Sequence, residues 1–185
     1  MLIVCIEFWV IQKCTIRGES LCEIRPVFFA LMKKVYRTPI GRNLLLSLSP
    51  FERAAVCIKH FEGLHGKDCY PYVGYGHKLQ KREHFTAAMT ERQADSLLRA
   101  DLMKRLMMFT DYGKDALLLA VLSYNVGTGR LLGYGKHPKS RLLRKIESGD
   151  RNFCREFVSF CRYKGKVLRG LVKRRKVEFD LFYIP

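Results

Sequence analysis

The chain has 185 residues, 48% of them hydrophobic, which fits a globular protein of one domain with an appended segment. Its net charge is +17, and residues 139–178 alone hold 14 Lys and Arg against 4 acids. Such a surface attracts nucleic acid, anionic lipid or the carboxylates of a cell wall, unless it only keeps the protein hydrated. The seven cysteines fit neither a zinc site nor a disulfide framework in number and spacing, so no metal site is expected.

Residues 1–48 lack a clear pattern and precede a predicted domain at residues 49–185. They open with the apolar run MLIVCIEFWVIQ, which is too short to span a bilayer and lacks the basic start of a signal peptide. Three interpretations of this N-terminal extension stay open: a signal remnant, a misassigned start ahead of Met32, or an arm that packs on the domain. We expect no stable membrane insertion.

The first predicted helix of the domain begins at the motif SPFE. Ser49 is a suitable N-cap, Pro50 suits the first helical position, and Glu52 completes a capping box. Gly63 ends the helix. The face predicted to point inward is Phe51, Ala54, Ala55, Ile58 and Glu62. Glu62 therefore belongs to the apolar face, at the C-terminus of a helix.

The middle of the chain predicts a short β segment followed by two helices. Residues 63–79 are rich in Gly, Pro and Tyr and indicate a strand and turn. A capping box at residues 90–93 opens a helix through about Met108, with Asp101 in the middle of its apolar stripe. The segment DALLLAVLSYNVG, from near Asp115, is apolar almost all round and predicts a buried central helix.

Three further helices are predicted toward the C-terminus, from the segments PKSRLLRKIESGD, NFCREFVSFCRY and GLVKRRKVEFDLF. Together these elements predict a mostly α protein with a small β-hairpin region near its start. The central helix should form the core.

From about Ser49 to Phe182 the chain resembles the phage-type lysozymes, a muramidase family that includes phage endolysins. The matching segments, in order, are IKHFEGL with GYGH, MTERQADSLLRADL, YNVGTG, SRLLRKIESGD, EFVSF and GLVKRRKVEFDLF. The resemblance implies an α+β, lysozyme-like fold of two lobes with a glycan-binding cleft. It also implies hydrolysis of the β-1,4 bond between N-acetylmuramic acid and N-acetylglucosamine, without a cofactor.

Glu62 is the candidate general acid. Glycoside hydrolysis needs an acid for the leaving oxygen and a second group that activates water or stabilises positive charge. An apolar helix face and a helix C-terminus both favour a protonated carboxyl. The family resemblance gives Glu62 the same role. The alternative is a surface glutamate near a helix end.

The second catalytic group does not follow from the family pattern. That pattern places an Asp or Cys and then a Thr between the glutamate and GYGH, and the turn here is five residues shorter. Counting forward from Glu62 puts Pro71 in the Asp position. Counting back from GYGH puts Gly66 there, and Tyr72 in the Thr position. Neither count recovers a carboxylate.

Asp68 is the nearest candidate for the second carboxylate, and an ordinary turn aspartate is the alternative. Cys69 is allowed by the Asp-or-Cys choice of the family, unless it is simply packed. Tyr72 is predicted to hydrogen-bond a water or to line the sugar cleft, unless it is a plain strand aromatic.

The resemblance suggests roles for three further residues. It pairs His77 with Asp101, which matches the need of a mid-stripe carboxylate for a partner. It brings Arg174 to Glu62, where the guanidinium would hold the carboxyl; a solvated basic run is the alternative. Asn125 would bind sugar amide groups, or it only caps its helix.

The sequence therefore predicts a monomeric peptidoglycan hydrolase of lysozyme type, in the cell envelope or secreted, from a bacterium or a phage. The shortened turn motivates an alternative, a catalytically inactive muramidase-like domain that binds glycan or a protein partner. The charge alone would allow a nucleic-acid binder, but no DNA- or RNA-binding motif is present, so nucleic acid is not expected as a partner.

Overall fold

A computed structural model describes residues 39–86 and 88–185. Most of the predicted N-terminal extension, residues 1–48, lies outside these ranges, so its role and its boundary stay predictions. A helix, α1, spans Pro39–Ser47. The compact unit that carries the predicted site spans Leu46–Pro185.

Seven helices and two small hairpins follow α1 in the described chain. The helices are α2 (Pro50–Glu62), α3 (Glu91–Met108), α4 (Ala116–Val126), α5 (Gly129–Leu132), α6 (Arg141–Glu147), α7 (Cys154–Val158) and α8 (Arg169–Phe182). The antiparallel hairpins pair β1 (Tyr72–Val73) with β2 (His77–Lys78), and β3 (Arg162–Tyr163) with β4 (Lys166–Val167). Short 3₁₀ turns lie at Lys67–Cys69 and Thr110–Asp115. The predicted mostly α fold with small β-hairpins is confirmed.

Helix α4 is the centre of the core. Residues 118–124 are all buried, and the helix packs against α2, α3 and α8. A helix that is apolar all round has no face suited to water, so neighbouring helices must cover it. This helix fixes the end of α2, where Glu62 lies, relative to α8.

The cap of α2 differs in part from its prediction. The Ser49 hydroxyl accepts a hydrogen bond from the Glu52 N–H at 3.3 Å, as an N-cap does. The Glu52 carboxylate does not bond back to the cap; one of its oxygens lies 2.8 Å from Arg99 on α3. A charged partner is preferred there over a backbone N–H. Gly63, at φ 68°, ends the helix as predicted.

The predicted helix NFCREFVSFCRY is wrong after its first turn. Helix α7 ends at Val158, and the chain then forms the β3–β4 hairpin. The turn of this hairpin contains Lys164 and Gly165, both at positive φ, a conformation that ends a helix and suits a tight hairpin. Phe157 and Cys161 are both buried. Their spacing therefore reflects core contacts, without requiring one continuous helix.

Candidate active site

Glu62 is the last residue of α2, and its side chain is 17% exposed. Oε1 accepts hydrogen bonds from Nη1 of Arg174 at 2.8 Å and from Nδ2 of Asn125 at 3.4 Å. Within residues 39–86 and 88–185, Oε2 has no hydrogen-bond partner. One oxygen of the carboxyl is therefore anchored, and the other is free to meet a ligand.

A buried network on α8 supports this arrangement. Nε of Arg174 donates to Oε1 of Glu178 at 2.8 Å, and Nη1 of Arg175 donates to Oε2 of the same carboxylate at 2.5 Å. Nη2 of Arg175 donates to Oδ1 of Asn125 at 2.6 Å. Asn125 thus connects Arg175 to Glu62, and its amide is held from both sides.

Arg175 and Glu178 were not predicted from the sequence. The sequence also left open whether Arg174 belongs to a solvated basic run, and the structure divides that run. Arg174 and Arg175 are buried, whereas Lys173 and Lys176 are exposed. The sequence spacing could have indicated these ion pairs. Glu178 stands four residues after Arg174 and three after Arg175, which places all three on one face of a helix.

Arg174 remains charged in this environment. Burial lowers its pKa, but the charges of Glu178 and Glu62 outweigh burial and raise it above the ordinary value. The guanidinium also lies 5.3 Å from the ring centroid of Phe61.

Burial raises the pKa of the Cys57 thiol, so this cysteine is a neutral core residue and not a nucleophile.

The β1–β2 hairpin packs against the free side of Glu62. The His65 N–H donates to the carbonyl of Gly74 at 2.8 Å, which attaches the chain after α2 to the hairpin. Gly76 has φ 90°, a conformation that favours glycine, and a Cβ there would lie 3.5 Å from Oε2 of Glu62. Glycine therefore keeps the space beside the free oxygen open.

His77 and Asp101, which were predicted to pair, lie in contact. Nδ1 of His77 is 2.6 Å from Oδ2 of Asp101, and its Nε2 is 2.8 Å from Oε2 of Glu83. Burial lowers the pKa of His77, but the hydrogen bonds to Glu83 and Asp101 outweigh burial and raise it. Both ring nitrogens are occupied, so this imidazole links the hairpin to α3 and is not available to a substrate. Glu83 was not predicted.

The candidates for the second catalytic group lie on the surface. Asp68 is exposed in the 3₁₀ turn Lys67–Cys69, and no hydrogen bond or ion pair joins it to another residue of the described chain. Cys69 is exposed as well. Tyr72, on β1, is 42% exposed, and its ring meets that of His65 edge-on with centroids 6.4 Å apart. The structure thus brings Arg174 and Asn125 to Glu62, but it does not bring Asp68 into contact with it.

A search of residues 39–86 and 88–185 finds no group of His, Cys, Asp and Glu side chains that could hold a metal ion. In the same ranges no helix is long and apolar enough to cross a membrane.

Comparison with known proteins gives matches of three kinds: a family model, a curated relative and a solved structure. The family model described as phage lysozyme matches residues 59–178. An endolysin of Bacillus phage B103 is 35% identical over 144 residues, covering 68% of this chain and 50% of the endolysin, so the chain spans about half the length of this curated relative. The solved muramidase domain of SpmX from Asticaccaulis excentricus superposes with a TM-score of 0.56 at 26% identity, covering 71% of this chain and 95% of that one.

Proposed function

Because the chain belongs to the phage lysozyme family, we propose that it is a glycoside hydrolase of lysozyme type that acts on peptidoglycan. The bond cleaved is the β-1,4 bond between N-acetylmuramic acid and N-acetylglucosamine. The observation that carries the proposal is the state of Glu62, whose carboxyl has one anchored and one free oxygen at the end of a helix.

Glu62 acts as the general acid. Its Oε1 already accepts hydrogen bonds from Arg174 and Asn125, so the proton of the neutral acid resides on Oε2. Oε2 faces the open space beside Gly76 and donates its proton to the glycosidic oxygen as the bond breaks. Arg174 and Asn125 hold the carboxyl in one orientation, which keeps the proton directed at the substrate.

Tyr72 contributes to glycan binding. Its ring is exposed on the hairpin that approaches Glu62, and an exposed aromatic face packs well on a sugar ring. The amide of Asn125 and the Nε and Nη1 atoms of Arg174 bond to Glu62 and the α8 network, so these two residues contribute to substrate binding mainly by positioning Glu62. The basic segment 139–178 attracts the anionic wall polymer. The protein acts as a monomer at the cell wall, in the cell envelope or after secretion.

A second candidate function is a muramidase-like domain that binds glycan or a protein partner without cleaving it. The observation in its favour is the shortened turn, which leaves Asp68 exposed and without contact to Glu62.

Digestion of purified peptidoglycan separates the two functions. The protein is incubated with sacculi, the soluble products are reduced with borohydride, and the muropeptides are identified by mass spectrometry. A lysozyme yields reduced N-acetylmuramic acid at the new chain ends. Retention on sacculi without new reducing ends would instead support the binding domain.

A further inference from the structure

We propose that His65 is the second functional group of this site and that it accepts the proton of the attacking water. The inference rests on the proposed hydrolase function and deepens it. The family pattern expects an Asp or Cys after the glutamate, and no carboxylate stands at that position in this chain, because the turn after Glu62 is shortened. His65 lies three residues after Glu62, ahead of the turn that contains Asp68.

The backbone fixes the position of His65. Its N–H donates to the Gly74 carbonyl at 2.8 Å, and the two residues form an isolated antiparallel bridge. Its ring lies edge-on against the ring of Tyr72. Asp68 has no such attachment, because it lies on an exposed 3₁₀ turn. A group that must meet a reacting atom benefits from a position that hydrogen bonds and packing hold in place.

His65 and Glu62 flank the same glycine. From the position that a Cβ would take at Gly76, Oε2 of Glu62 lies 3.5 Å away and Cε1 of His65 lies 3.7 Å away. The sum of the two distances is the upper limit of the distance between these two atoms, Oε2 and Cε1. Two carboxyl groups that act on one glycosidic bond with a water between them stand roughly 6.5–9.5 Å apart, and the upper limit allows a separation at the short end of that range. The imidazole therefore lies on the side of the free oxygen, close enough to serve the same bond.

The imidazole of His65 has an unpaired nitrogen. Nδ1 is buried and has no hydrogen-bond partner in the described part of the chain. Buried polar atoms are nearly always hydrogen-bonded, so this nitrogen needs a partner that the described residues do not supply. His77 gives the contrast, because both of its nitrogens are bound to carboxylates. Because the buried Nδ1 is closed to water, Nε2 is the nitrogen of His65 that can take a proton from a water, since it is accessible and has no hydrogen-bond partner among the described residues.

The proton and bond changes balance in a single displacement. Glu62 transfers its proton to the glycosidic oxygen as the bond from that oxygen to the anomeric carbon breaks. The water oxygen forms the new bond to the anomeric carbon, and Nε2 of His65 accepts the proton that the water loses. Glu62 ends ionised and His65 ends protonated. Exchange with solvent restores both groups, and no oxidation or reduction occurs.

The test compares His65→Gln, His65→Ala and His65→Asp with wild type on soluble, uncross-linked peptidoglycan strands. We expect His65→Gln and His65→Ala to lower kcat about a hundredfold or more, with KM nearly unchanged, because a proton acceptor is lost while binding is retained. His65→Asp restores a proton acceptor and should recover part of kcat. His84→Gln is the matched control, since His84 is exposed, and it should keep wild-type activity.

Four outcomes decide the proposal. If wild type cleaves and Glu62→Gln does not, but His65→Gln keeps its kcat, the role of His65 is refuted while the hydrolase function stands. A rise in KM alone makes His65 a substrate contact and also overturns the proposal. A loss in Asp68→Asn with none in His65→Gln assigns the role to Asp68. If wild type itself does not cleave, the proposed function fails. His65→Gln closely matches the original shape, and thermal melting identifies any variant whose loss reflects unfolding.

Discussion

Nη1 of Arg174 donates to Oε1 of Glu62 at 2.8 Å, across 112 residues of sequence. The last helix of the chain thus holds the carboxyl at the end of α2. The same guanidinium donates to the fully buried Glu178. The site therefore depends on the C-terminal helix for its geometry, and loss of Arg174 affects both the fold and the chemistry.

We predict that Arg174→Ala lowers the free energy of unfolding by about 3–5 kcal/mol, because it leaves the buried Glu178 with one guanidinium partner fewer. Urea denaturation measures the change. Lys176→Ala, on the exposed face of the same helix, should stay within about 0.5 kcal/mol of wild type. Equal effects of the two substitutions would mean that the network contributes little to stability.

The contact between His77 and Asp101 predicts a pH-dependent stability. Burial lowers the pKa of His77, but its hydrogen bonds to Glu83 and Asp101 raise it overall. The stabilisation that comes from a raised histidine pKa is fully present when the pH is below the unfolded-state pKa of about 6.5. It is lost as the pH rises through the pKa of the folded state. The difference in unfolding free energy between wild type and Asp101→Asn should therefore be larger at pH 5.5 than at pH 9.

The matched control for this pH dependence is Asp111→Asn, since Asp111 is exposed. Its difference from wild type should not vary between the two pH values. A constant difference for Asp101→Asn as well would exclude a charged interaction between His77 and Asp101.

Gly76→Ala should reduce activity beyond its effect on stability. The substitution strains the backbone at φ 90° and places a methyl group beside Oε2 of Glu62 and the ring of His65. Gly165→Ala is the control, because Gly165 has φ 78° and open space around it. Both variants should melt at lower temperature, and only Gly76→Ala should lower kcat, by about tenfold or more. A similar kcat in both variants would show that the space beside Gly76 is not used.

The basic segment predicts that wall binding weakens with salt. Screening shortens the range of a charge from about 10 Å at 0.1 M salt to about 3 Å at 1 M. Lys164 and Lys166 are exposed in the β3–β4 hairpin. Replacing both by Glu should weaken binding to sacculi several-fold at low salt, and the difference from wild type should close at 1 M.

The control for the salt experiment carries the same change in net charge at another place. Lys81→Glu with Arg82→Glu alters two exposed residues outside the basic segment. This pair should weaken binding less than the pair in the hairpin. If both pairs act alike, net charge attracts the wall and the segment has no special role.

Local sequence signals predicted the elements that depend on few neighbours. The N-cap at Ser49, the stop at Gly63 and the apolar helix α4 all follow from residue type and spacing. The β3–β4 hairpin did not follow, because Phe157 and Cys161 are buried at a spacing that a helix also gives. The chain forms a hairpin there because Lys164 and Gly165 adopt positive φ, which ends a helix.

Residues of the site were predictable where an ionisable side chain falls on an apolar helix face, because such a group requires a partner or a function. The position of Glu62 at the end of α2 and the contact of His77 with Asp101 belong to that class, while the catalytic role of Glu62 stays a prediction. Arg175 was hidden in a run of four basic residues whose charge suggests solvent, and only tertiary packing buries it. His65 gave no signal in the sequence, since its relation to Glu62 depends on the hairpin folding back so that both side chains lie close to Gly76.

The most direct test of the account is the rate of new reducing-end formation on purified sacculi by wild type and Glu62→Gln. The amide keeps the shape of the side chain and can still accept the hydrogen bond from Arg174, but it has no acidic proton to transfer to the leaving oxygen. We predict measurable cleavage by wild type and at least a hundredfold lower rate for Glu62→Gln, at the same melting temperature and with sacculus binding retained. Equal rates in the two proteins would contradict the assignment of Glu62 as the general acid.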